Sequence, residues 1–339
     1  MKFSYLLVPA IIMAGFCTEM KAQDVRMVVS QDGKGDYLTV QQAIDAAPDY
    51  YRHGEVTIVI RPGTYNEKLT IPTSKQRIHM VGEDAMTTII TWSDYAEQAG
   101  PAGKPIGTSA TPTVFFYGND FLAENITFEN AAGEGKNIGQ ACAVMVDADR
   151  VAFVGCRFIA NQDTIYTYGK GQRQYYLNCW IEGTTDFIFG ASTCWFESCT
   201  ILSKKNSYVT AASTPQGTKF GYVFNNCKLI HSEGVDKVYL GRPWRPYAKT
   251  VFLGCELGDH ILPEGWHDWG KEYAHKTTYY AEYASKGPGA ASKAERERWC
   301  HIMKPSQAKE YSVTKVLCAG SEIDKNGVAV PVEWYFKVF

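Results

Sequence analysis

Residues 151–201 read VAFVGCRFIANQDTIYTYGKGQRQYYLNCWIEGTTDFIFGASTCWFESCTI, and one short pattern occurs in this stretch three times. Each copy is an apolar run that reaches a cysteine and has an apolar residue two places later; the cysteines are Cys156, Cys179 and Cys199. The same pattern continues outward on both sides, with markers at Asn125, Cys227 and Cys255. Successive markers are 31, 23, 20, 28 and 28 residues apart, which indicates an internal repeat.

Each segment alternates apolar and polar residues and ends at Gly, Asn or Asp, which is typical of a β-strand. Short strands that recur every 20–30 residues without crossover helices predict an all-β fold, a right-handed parallel β-helix. Its coils would stack about 4.8 Å apart. A propeller or a sandwich is the alternative, but Asn-Gly hairpin dipeptides do not occur between the segments. We therefore expect a single domain over residues 23–339.

The two ends of the repeat carry helical patterns. Val40–Ala47 (VQQAIDAA) has a helical period and Thr39 as its expected N-cap, so this helix would cover the open end of the coil stack. Ser292–Trp299 (SKAERERW) predicts a second short helix. The last 40 or so residues are expected to pack along the outside of the coils, because exposed strand edges and solenoid ends need covering.

The composition is that of an ordinary globular protein. The chain has 339 residues, 45% of them hydrophobic, and 34 basic against 36 acidic residues give a formal charge of −2. This composition does not fit a disordered chain, a collagen-like chain or a disulfide-knot scaffold. The near-neutral balance gives no electrostatic reason to bind nucleic acid or an anionic membrane.

Ten cysteines in an exported chain would normally indicate disulfides. Here five of them fall at equivalent places in successive repeats, where their side chains should point inward and stack. A free cysteine behaves as a small buried hydrophobe, so we interpret these five as an interior ladder. A zinc site is not expected, because C-x-x-C is absent and no histidine pair lies near Cys194 and Cys199.

Residues 1–22 have the pattern of a secretory signal peptide. Lys2 precedes an uncharged apolar run from Leu6 to Phe16, and Met20–Ala22 offers a cleavage site. The run is too short to span a bilayer, which needs about 20 apolar residues. Export, as a secreted or periplasmic protein, is therefore expected. Lipid anchoring at Cys17 is the alternative, but Phe16 fits poorly at a small-residue processing site.

Two aspartates share one place in the repeat. Asp163 lies seven residues after Cys156, and Asp186 lies seven residues after Cys179, so adjacent coils should bring them about 5 Å apart at the backbone. Two such close carboxylates cannot both ionise freely, and one pKa should rise while the other stays low. One protonated and one ionised acid suit acid/base or acid/nucleophile catalysis, although an aspartate after a strand is often only a turn residue.

This geometry leaves two chemistries open. Carboxylates about 5–5.5 Å apart suit a retaining glycosidase. An aspartate that attacks an ester carbonyl also fits, provided that donors stabilise the oxyanion. Gln162 precedes Asp163, and Gln140 begins a strand one coil earlier, so neutral amide donors are at hand for an ester. The motifs of serine hydrolases, zinc proteases and nucleotide-binding loops are missing, and the seven histidines are scattered along the chain.

At these positions the sequence resembles the pectin methylesterases, a family of carbohydrate esterases with a parallel β-helix fold. The resemblance spans nearly the whole chain after residue 22 and keeps the order of the family's motifs, which are here DGKGD (32–36), IRPGTYNE (60–67), GQA (139–141), NQDT (161–164), IEGTTDFIFG (181–190), LGRPW (240–244) and PEGWHDW (263–269). The chain departs from the family's usual pattern at Pro112 and at Ile138-Gly139 before Gln140.

The resemblance implies a role for each matching residue. Asp186 would be the nucleophile and Asp163 the general acid and base, Arg242 would orient Asp186, and the oxyanion would be held by Gln140 and Gln162. The family's sugar-binding surfaces would correspond to Trp244, Tyr166 and Phe189. Tyr247, five places after Arg242, is a departure from the family's pattern that would crowd or extend a substrate-binding subsite.

The implied substrate is methyl-esterified homogalacturonan in pectin, with no metal and no cofactor. We expect a monomer without a membrane span. Two other readings remain open, a β-helix hydrolase or lyase that cleaves the glycan backbone and a non-catalytic carbohydrate-binding β-helix. The five matching polar residues argue against the second of these.

Overall fold

The computed structural model describes residues 23–318, 321–323, 329–331 and 334. The expected signal peptide and the alternative anchor Cys17 lie outside the described residues. The described part is an all-β, right-handed parallel β-helix, as predicted. Three parallel sheets form its faces. No helix within the described residues is both long and apolar enough to cross a membrane.

The central coils each contribute one strand to each of the three sheets in turn, and the coils at the two ends contribute to fewer. Sheet A has eleven strands, β1 (Val25–Val29), β2 (Val56–Ile60), β5 (Ile78–Gly82), β8 (Phe121–Glu124), β11 (Val151–Val154), β14 (Arg173–Leu177), β17 (Thr193–Glu197), β20 (Tyr222–Asn225), β23 (Lys249–Leu253), β25 (Tyr279–Tyr283) and β26 (His301–Ile302). Sheet B has eight strands, β3 (Gly63–Asn66), β6 (Thr88–Trp92), β9 (Thr127–Asn130), β12 (Arg157–Ile159), β15 (Trp180–Gly183), β18 (Thr200–Ser203), β21 (Lys228–His231) and β24 (Glu256–Leu257). Sheet C has seven strands, β4 (Leu69–Ile71), β7 (Val114–Phe116), β10 (Val144–Val146), β13 (Ile165–Thr167), β16 (Ile188–Gly190), β19 (Tyr208–Ala212) and β22 (Tyr239–Gly241).

A two-residue corner joins sheet A to sheet B in six successive coils, from β8–β9 to β23–β24. The first residue of each corner has a positive φ between 52° and 60°, which Gly and Asn tolerate best; these residues are Asn125, Gly155, Asn178, Ser198, Asn226 and Gly254. The second residue points inward, and in five corners it is the cysteine of the repeat. The tight corner therefore explains why the cysteines recur with an apolar residue two places later.

The first repeat marker was misplaced by one residue. Strand register pairs Phe121 with Val151, so Ile126, and not Asn125, is the counterpart of Cys156. Ile126 is fully buried at the inward position of the corner, and Asn125 occupies the left-handed position before it. Asparagine occupies the left-handed position in three of the six corners, at Asn125, Asn178 and Asn226, so an asparagine marks the residue before the inward one.

The cysteine ladder is confirmed within the described residues, where all five corner cysteines are buried free thiols. In each of the five corners the thiol sulfur lies 3.4 Å from a carbonyl oxygen of the preceding coil, as Cys199 does with Tyr176. Burial raises the pKa of Cys156 to about 12, so this thiol stays protonated and can donate weakly to that carbonyl. The sulfur thus contacts a carbonyl oxygen of a sheet A strand while it fills the core.

Much of the aromatic content lies inside sheet A. One ring per coil stacks on the ring of the next coil, with centroid distances of 5.1, 4.6, 4.4 and 4.5 Å along the series Phe153, Tyr176, Phe196, Phe224 and Phe252. Parallel in-register strands place equivalent side chains about 4.8 Å apart, close to the spacing of stacked rings. The interior is therefore a continuous apolar column rather than a set of separate clusters.

The helices cover the ends and one face. Helix α1 (Val40–Ala46) begins at Thr39, whose side chain accepts a hydrogen bond from the Gln42 amide, and it buries Val40, Ala43 and Ile44, as predicted. Helix α2 (Pro305–Ala308) is short, and α3 (Val313–Leu317) packs on the outer face of sheet A with Val316 and Leu317 buried. Strands β27 (Ser321–Ile323) and β28 (Ala329–Pro331) pair antiparallel.

The helix expected at Ser292–Trp299 is wrong, because this segment consists of turns. Arg296 turns inward there, is 2% exposed, and forms a two-pronged ion pair with the buried carboxylate of Glu282. It also donates to the carbonyl oxygens of Leu262, Pro263 and Gly289. The helical charge pattern of the segment is overridden by this buried cation, which holds the chain against the last coils.

Candidate active site

Strand register brings Asp163 and Asp186 together at the edge of sheet C. Each lies two residues before its strand, β13 or β16, and these strands pair with Ile165 opposite Ile188. The two aspartates therefore occupy equivalent positions in adjacent coils, as predicted. Both have left-handed backbones, with φ of 67° and 51°, which an aspartate tolerates better than most residues. The backbone amide of Asp163 donates to the Thr185 carbonyl oxygen, 3.1 Å away, in the next coil.

Burial separates the acidities of the two carboxyl groups. Asp163 is 8% exposed, and burial together with the charge of Asp186 holds its pKa well above the usual range. Burial also raises the pKa of Asp186, but hydrogen bonds from Arg242 and the charges of Arg242 and Lys271 oppose that rise. The pKa of Asp186 is thus raised, whereas the sequence predicted that one of the two pKa values stays low. Asp163 still has the larger rise of the two. Asp163 is the group that keeps a proton, and Asp186 is the one that ionises first.

Arg242 holds Asp186 in a fixed orientation. Its Nε and Nη2 donate to the two carboxylate oxygens at 2.9 and 2.7 Å. The guanidinium carbon lies 3.9 Å from the ring centroid of Tyr208 and 3.6 Å from that of Trp269, so two aromatic rings contact the cation. A planar guanidinium suits both the two-pronged pair and the stacking, which a lysine could not reproduce.

Tyr208, Trp269 and Lys271 were not assigned a role from the sequence. Tyr208 is the register partner of Asp186 in the next coil, since Ile188 pairs with Thr210. It lies nine residues after Cys199, so counting seven residues from the cysteine misses it. Lys271 donates to two backbone carbonyl oxygens of the loop after β22 and lowers the pKa of Asp186 by its charge.

Gln140 lies in the coil before Asp163, and Gln162 directly precedes Asp163 in the same coil. Their main chains are fixed, because the Gln140 carbonyl oxygen accepts from Ala96 and that of Gln162 accepts from Ala141. Both side chains line the cleft, and neither carboxamide has a hydrogen-bond partner among the described residues. Two neutral amide donors are therefore free to bind an oxygen atom placed between them and the aspartates.

Aromatic residues form the floor and one wall. The rings of Tyr166 and Phe189 stack at 4.2 Å between centroids, and Trp244 contacts both of them edge-on at 6.2 and 5.7 Å. Tyr166 and Phe189 are less than 8% exposed, while Trp244 is half-buried and its ring faces the cleft. Tyr247 is not among the cleft-lining residues; its amide donates to Thr277 Oγ1 behind the loop.

The cleft has a volume of about 410 Å³ and contains all of the predicted site residues except Tyr247. Its lining consists of Thr108, Ser109, Gln140, Gln162, Asp163, Tyr166, Asp186, Phe189, Ala211, Arg242, Trp244 and Trp269. A second cavity of about 660 Å³ shares Tyr166 and Trp244 with it and contains Lys170 and Arg245. A third, of about 300 Å³, shares Gln162 and contains Lys136 and Lys205. The second and third cavities each share lining residues with the cleft, and the three together are called the groove. Lys205 in the third cavity is ion-paired with Glu134 at 3.5 Å.

Comparison with known proteins agrees with this geometry. The family model "Pectinesterase" matches residues 26–321. Pectinesterase 31 of Arabidopsis thaliana is 40% identical over 293 residues, which cover 84% of this chain and 90% of the relative. A probable pectinesterase/pectinesterase inhibitor of Brassica napus is 36% identical over 89% of this chain, which spans 53% of that longer relative.

A solved structure shows the same likeness in three dimensions. The pectin methylesterase from carrot superposes with a TM-score of 0.79 and is 32% identical, over 86% of this chain and 92% of the carrot chain. The sequence resemblance is thereby confirmed at the level of the family. From the family match, the identity to its members and the shared fold, the chain belongs to the pectinesterase family of carboxylic ester hydrolases.

Proposed function

We propose that this protein hydrolyses the C6 methyl ester of galacturonate units in pectin, releasing methanol and leaving pectate. The observation that carries the proposal is the in-register pair of buried aspartates, of which Asp186 is ion-paired with Arg242, while burial and the charge of Asp186 hold the pKa of Asp163 well above its usual range. A carboxylate nucleophile beside a protonated acid suits an acyl-transfer reaction.

In the first half-reaction, an oxygen of Asp186 attacks the ester carbonyl carbon and forms a tetrahedral intermediate. The carboxamides of Gln140 and Gln162 donate hydrogen bonds to its negative oxygen. When the intermediate collapses, the bond between carbon and the methoxy oxygen breaks, and Asp163 gives its proton to the departing methanol. The product is an anhydride between the galacturonate carboxyl group and Asp186.

In the second half-reaction, water attacks the anhydride carbonyl carbon. Asp163, now ionised, takes a proton from this water, and the same two carboxamides stabilise the second oxyanion. Cleavage of the anhydride restores the Asp186 carboxylate against Arg242 and frees galacturonic acid, which then loses its remaining proton to the solvent. One ester and one water thus become one acid and one methanol, and both catalytic aspartates return to their starting protonation states.

The groove supports a polymeric, anionic substrate. Sugar rings can stack on the exposed face of Trp244, and the cationic side chains of the second and third cavities, including Lys170 and Lys136, suit the carboxylates of neighbouring units that carry no ester. The cleft itself offers mainly aromatic surface near the aspartates, which suits the methyl group of the reacting ester.

The proposal is tested by adding purified protein to methyl-esterified polygalacturonate and following methanol, acid and chain length together. Methanol and acid in equal amounts, without chain shortening, are expected. Chain shortening would instead indicate a glycan hydrolase or lyase, and the absence of any product would indicate a binding protein.

The nucleophile is tested with Asp186→Asn, which should abolish methanol release while the melting temperature shows a folded protein. Asp45→Asn is the matched control, because this exposed aspartate lies on α1 at the other end of the coil stack. If Asp186→Asn kept a rate near that of the control, the assignment of the nucleophile would be wrong.

A further inference from the structure

Two histidines that are 29 residues apart in the sequence meet at the end of sheet B. His231 is the last residue of β21, and the register of β21 with β24 places it opposite Asp259, two residues beyond the pair Leu229–Leu257. His260 follows directly, and the ring centroids of the two histidines are 4.8 Å apart. None of the three residues lines the groove described above.

The hydrogen bonds of His231 place its Nε2 atom against the carboxylate of Asp259, so that two hydrogen-bond acceptors face each other in the neutral ring. Its Nδ1 lies 2.9 Å from the Ser232 carbonyl oxygen, and because a carbonyl can only accept, Nδ1 must carry the proton. In the neutral ring, Nε2 then directs a lone pair at the Asp259 carboxylate, 3.0 Å away. A cation between or beside these atoms is needed to make the contact favourable, either a proton on the ring or a metal ion.

His260 supplies an independent observation. It is 0% exposed, and neither of its ring nitrogens has a hydrogen-bond partner among the described residues. A buried polar group without a partner is costly, and a neutral imidazole is the form that binds metal ions.

The backbone is shaped to seat this ring. Gly258 lies under His260, and a Cβ atom added there would come within 2.7 Å of His260 Nδ1. The absence of a side chain at residue 258 therefore allows the imidazole to lie against the turn between sheet B and the next segment. A ring held in this way needs little reorganisation to bind a ligand.

We propose that His231, Asp259 and His260 form a structural site for a divalent transition-metal ion of the Zn²⁺ type. One ligand atom of each residue lies within 4.8 Å of the others. Tetrahedral zinc places its ligand atoms roughly 3.3 Å apart, so the three must draw together. The side chains of Asp259 and His231 are 73% and 32% exposed and can move toward the fixed His260.

The donor set determines the class of ion. Two imidazole nitrogens and one carboxylate suit Zn²⁺, Ni²⁺ or Cu²⁺, whereas Ca²⁺ and Mg²⁺ prefer all-oxygen sites. The contact of His231 with the Ser232 carbonyl would orient the ligand ring, as hydrogen bonds to metal-bound histidines commonly do. The bound ion would fasten the turn at residues 258–261 to β21, which stabilises the last coils rather than taking part in catalysis.

The test uses the full chain without a histidine tag, freed of metal with a chelator and then dialysed. Zn²⁺ is titrated by calorimetry, and the melting temperature is measured with Zn²⁺ and with Ca²⁺. We expect one tight Zn²⁺ per chain and a melting temperature that rises with Zn²⁺ concentration, since an ion that binds the folded state stabilises it. Ca²⁺ should produce neither effect.

His231→Gln and Asp259→Asn should each remove the tight binding and the rise in melting temperature. Both side chains are partly exposed, so both variants should fold and keep ester hydrolysis at the wild-type rate. His79→Gln is the matched control, because His79 lies between the carboxylates of Glu55 and Glu124 and is the competing surface site. The proposal is overturned if wild type binds no Zn²⁺, if binding raises no melting temperature, or if only His79→Gln loses binding.

Discussion

Replacing Arg242 by lysine tests whether this residue orients and ionises the proposed nucleophile. The arginine donates two hydrogen bonds to Asp186 and has an aromatic ring on each of two sides. Lysine keeps the positive charge but offers no planar fork, so at least one of the two charge-assisted hydrogen bonds is lost. Such a bond contributes about 1.5–3 kcal/mol.

That energy can be expressed as a change in acidity. At about 1.4 kcal/mol per pKa unit, the loss corresponds to a rise of roughly one to two units in the pKa of Asp186. The sign follows from the structure, because Arg242 lowers this pKa and burial raises it. The catalytic form requires an ionised Asp186, and therefore the acidic limb of the pH–rate profile should move to higher pH by one to two units.

The assay is methanol release from methyl-esterified pectin, with kcat/KM measured across the pH range for wild type and Arg242→Lys. Arg245→Lys is the matched control, since Arg245 stacks on Trp244 in the same loop but makes no contact with Asp186. The reasoning is refuted if the acidic limb of Arg242→Lys stays where it is in wild type, or if Arg245→Lys shifts it equally.

Three further predictions follow from the described contacts. Asp163→Asn should lower kcat by about 10²–10⁴-fold, the usual contribution of a general acid. Because burial raises the pKa of Asp163 in the folded state, the wild type loses stability as the pH rises from the ordinary aspartate pKa toward the folded one. In thermal denaturation the variant should therefore melt at a higher temperature than wild type at pH 7, and this difference should disappear below pH 4. Arg296→Leu should destabilise the fold by about 3–5 kcal/mol in urea titrations, since it leaves Glu282 buried without its partner; a loss below 1 kcal/mol would contradict this. Added reductant should leave the melting temperature unchanged, since the five corner cysteines are buried free thiols, and a clear drop would show a disulfide.

The regular part of the fold could be predicted from sequence because the corner between sheets A and B repeats the same chemistry in every coil. A left-handed residue and an inward cysteine recur at fixed places, so their periodicity marks the coils and aligns Asp163 with Asp186. The prediction of secondary structure was wrong where a tertiary contact of one side chain overrides the helical spacing of its segment. Arg296 shows this, since its segment has helical spacing but the cation pairs with a buried carboxylate far along the chain.

Residues that complete the site from later coils were harder to find. Tyr208 lies in the same column as Asp186, but a longer segment between sheets B and C shifts it from the expected count. Trp269 reaches Arg242 from beyond the last strand of sheet C, where no repeat remains to count from. In the same way, His231 and His260 meet only because adjacent coils bring β21 beside β24.

The constant corner has a consequence for how this molecule can change. Two residues join sheet A to sheet B in six successive coils, whereas the connections that enter and leave sheet C vary from two residues, between β16 and β17, to twenty-one, between β6 and β7. Insertions on the variable side leave the stacking of the column untouched, and doubling a flexible loop costs only about 0.6 kcal/mol of closure entropy. The corner between sheets A and B therefore keeps a constant length, whereas the loops on the side that bears the groove can change in length. New substrate specificities can thus evolve by lengthening these loops without a change of fold.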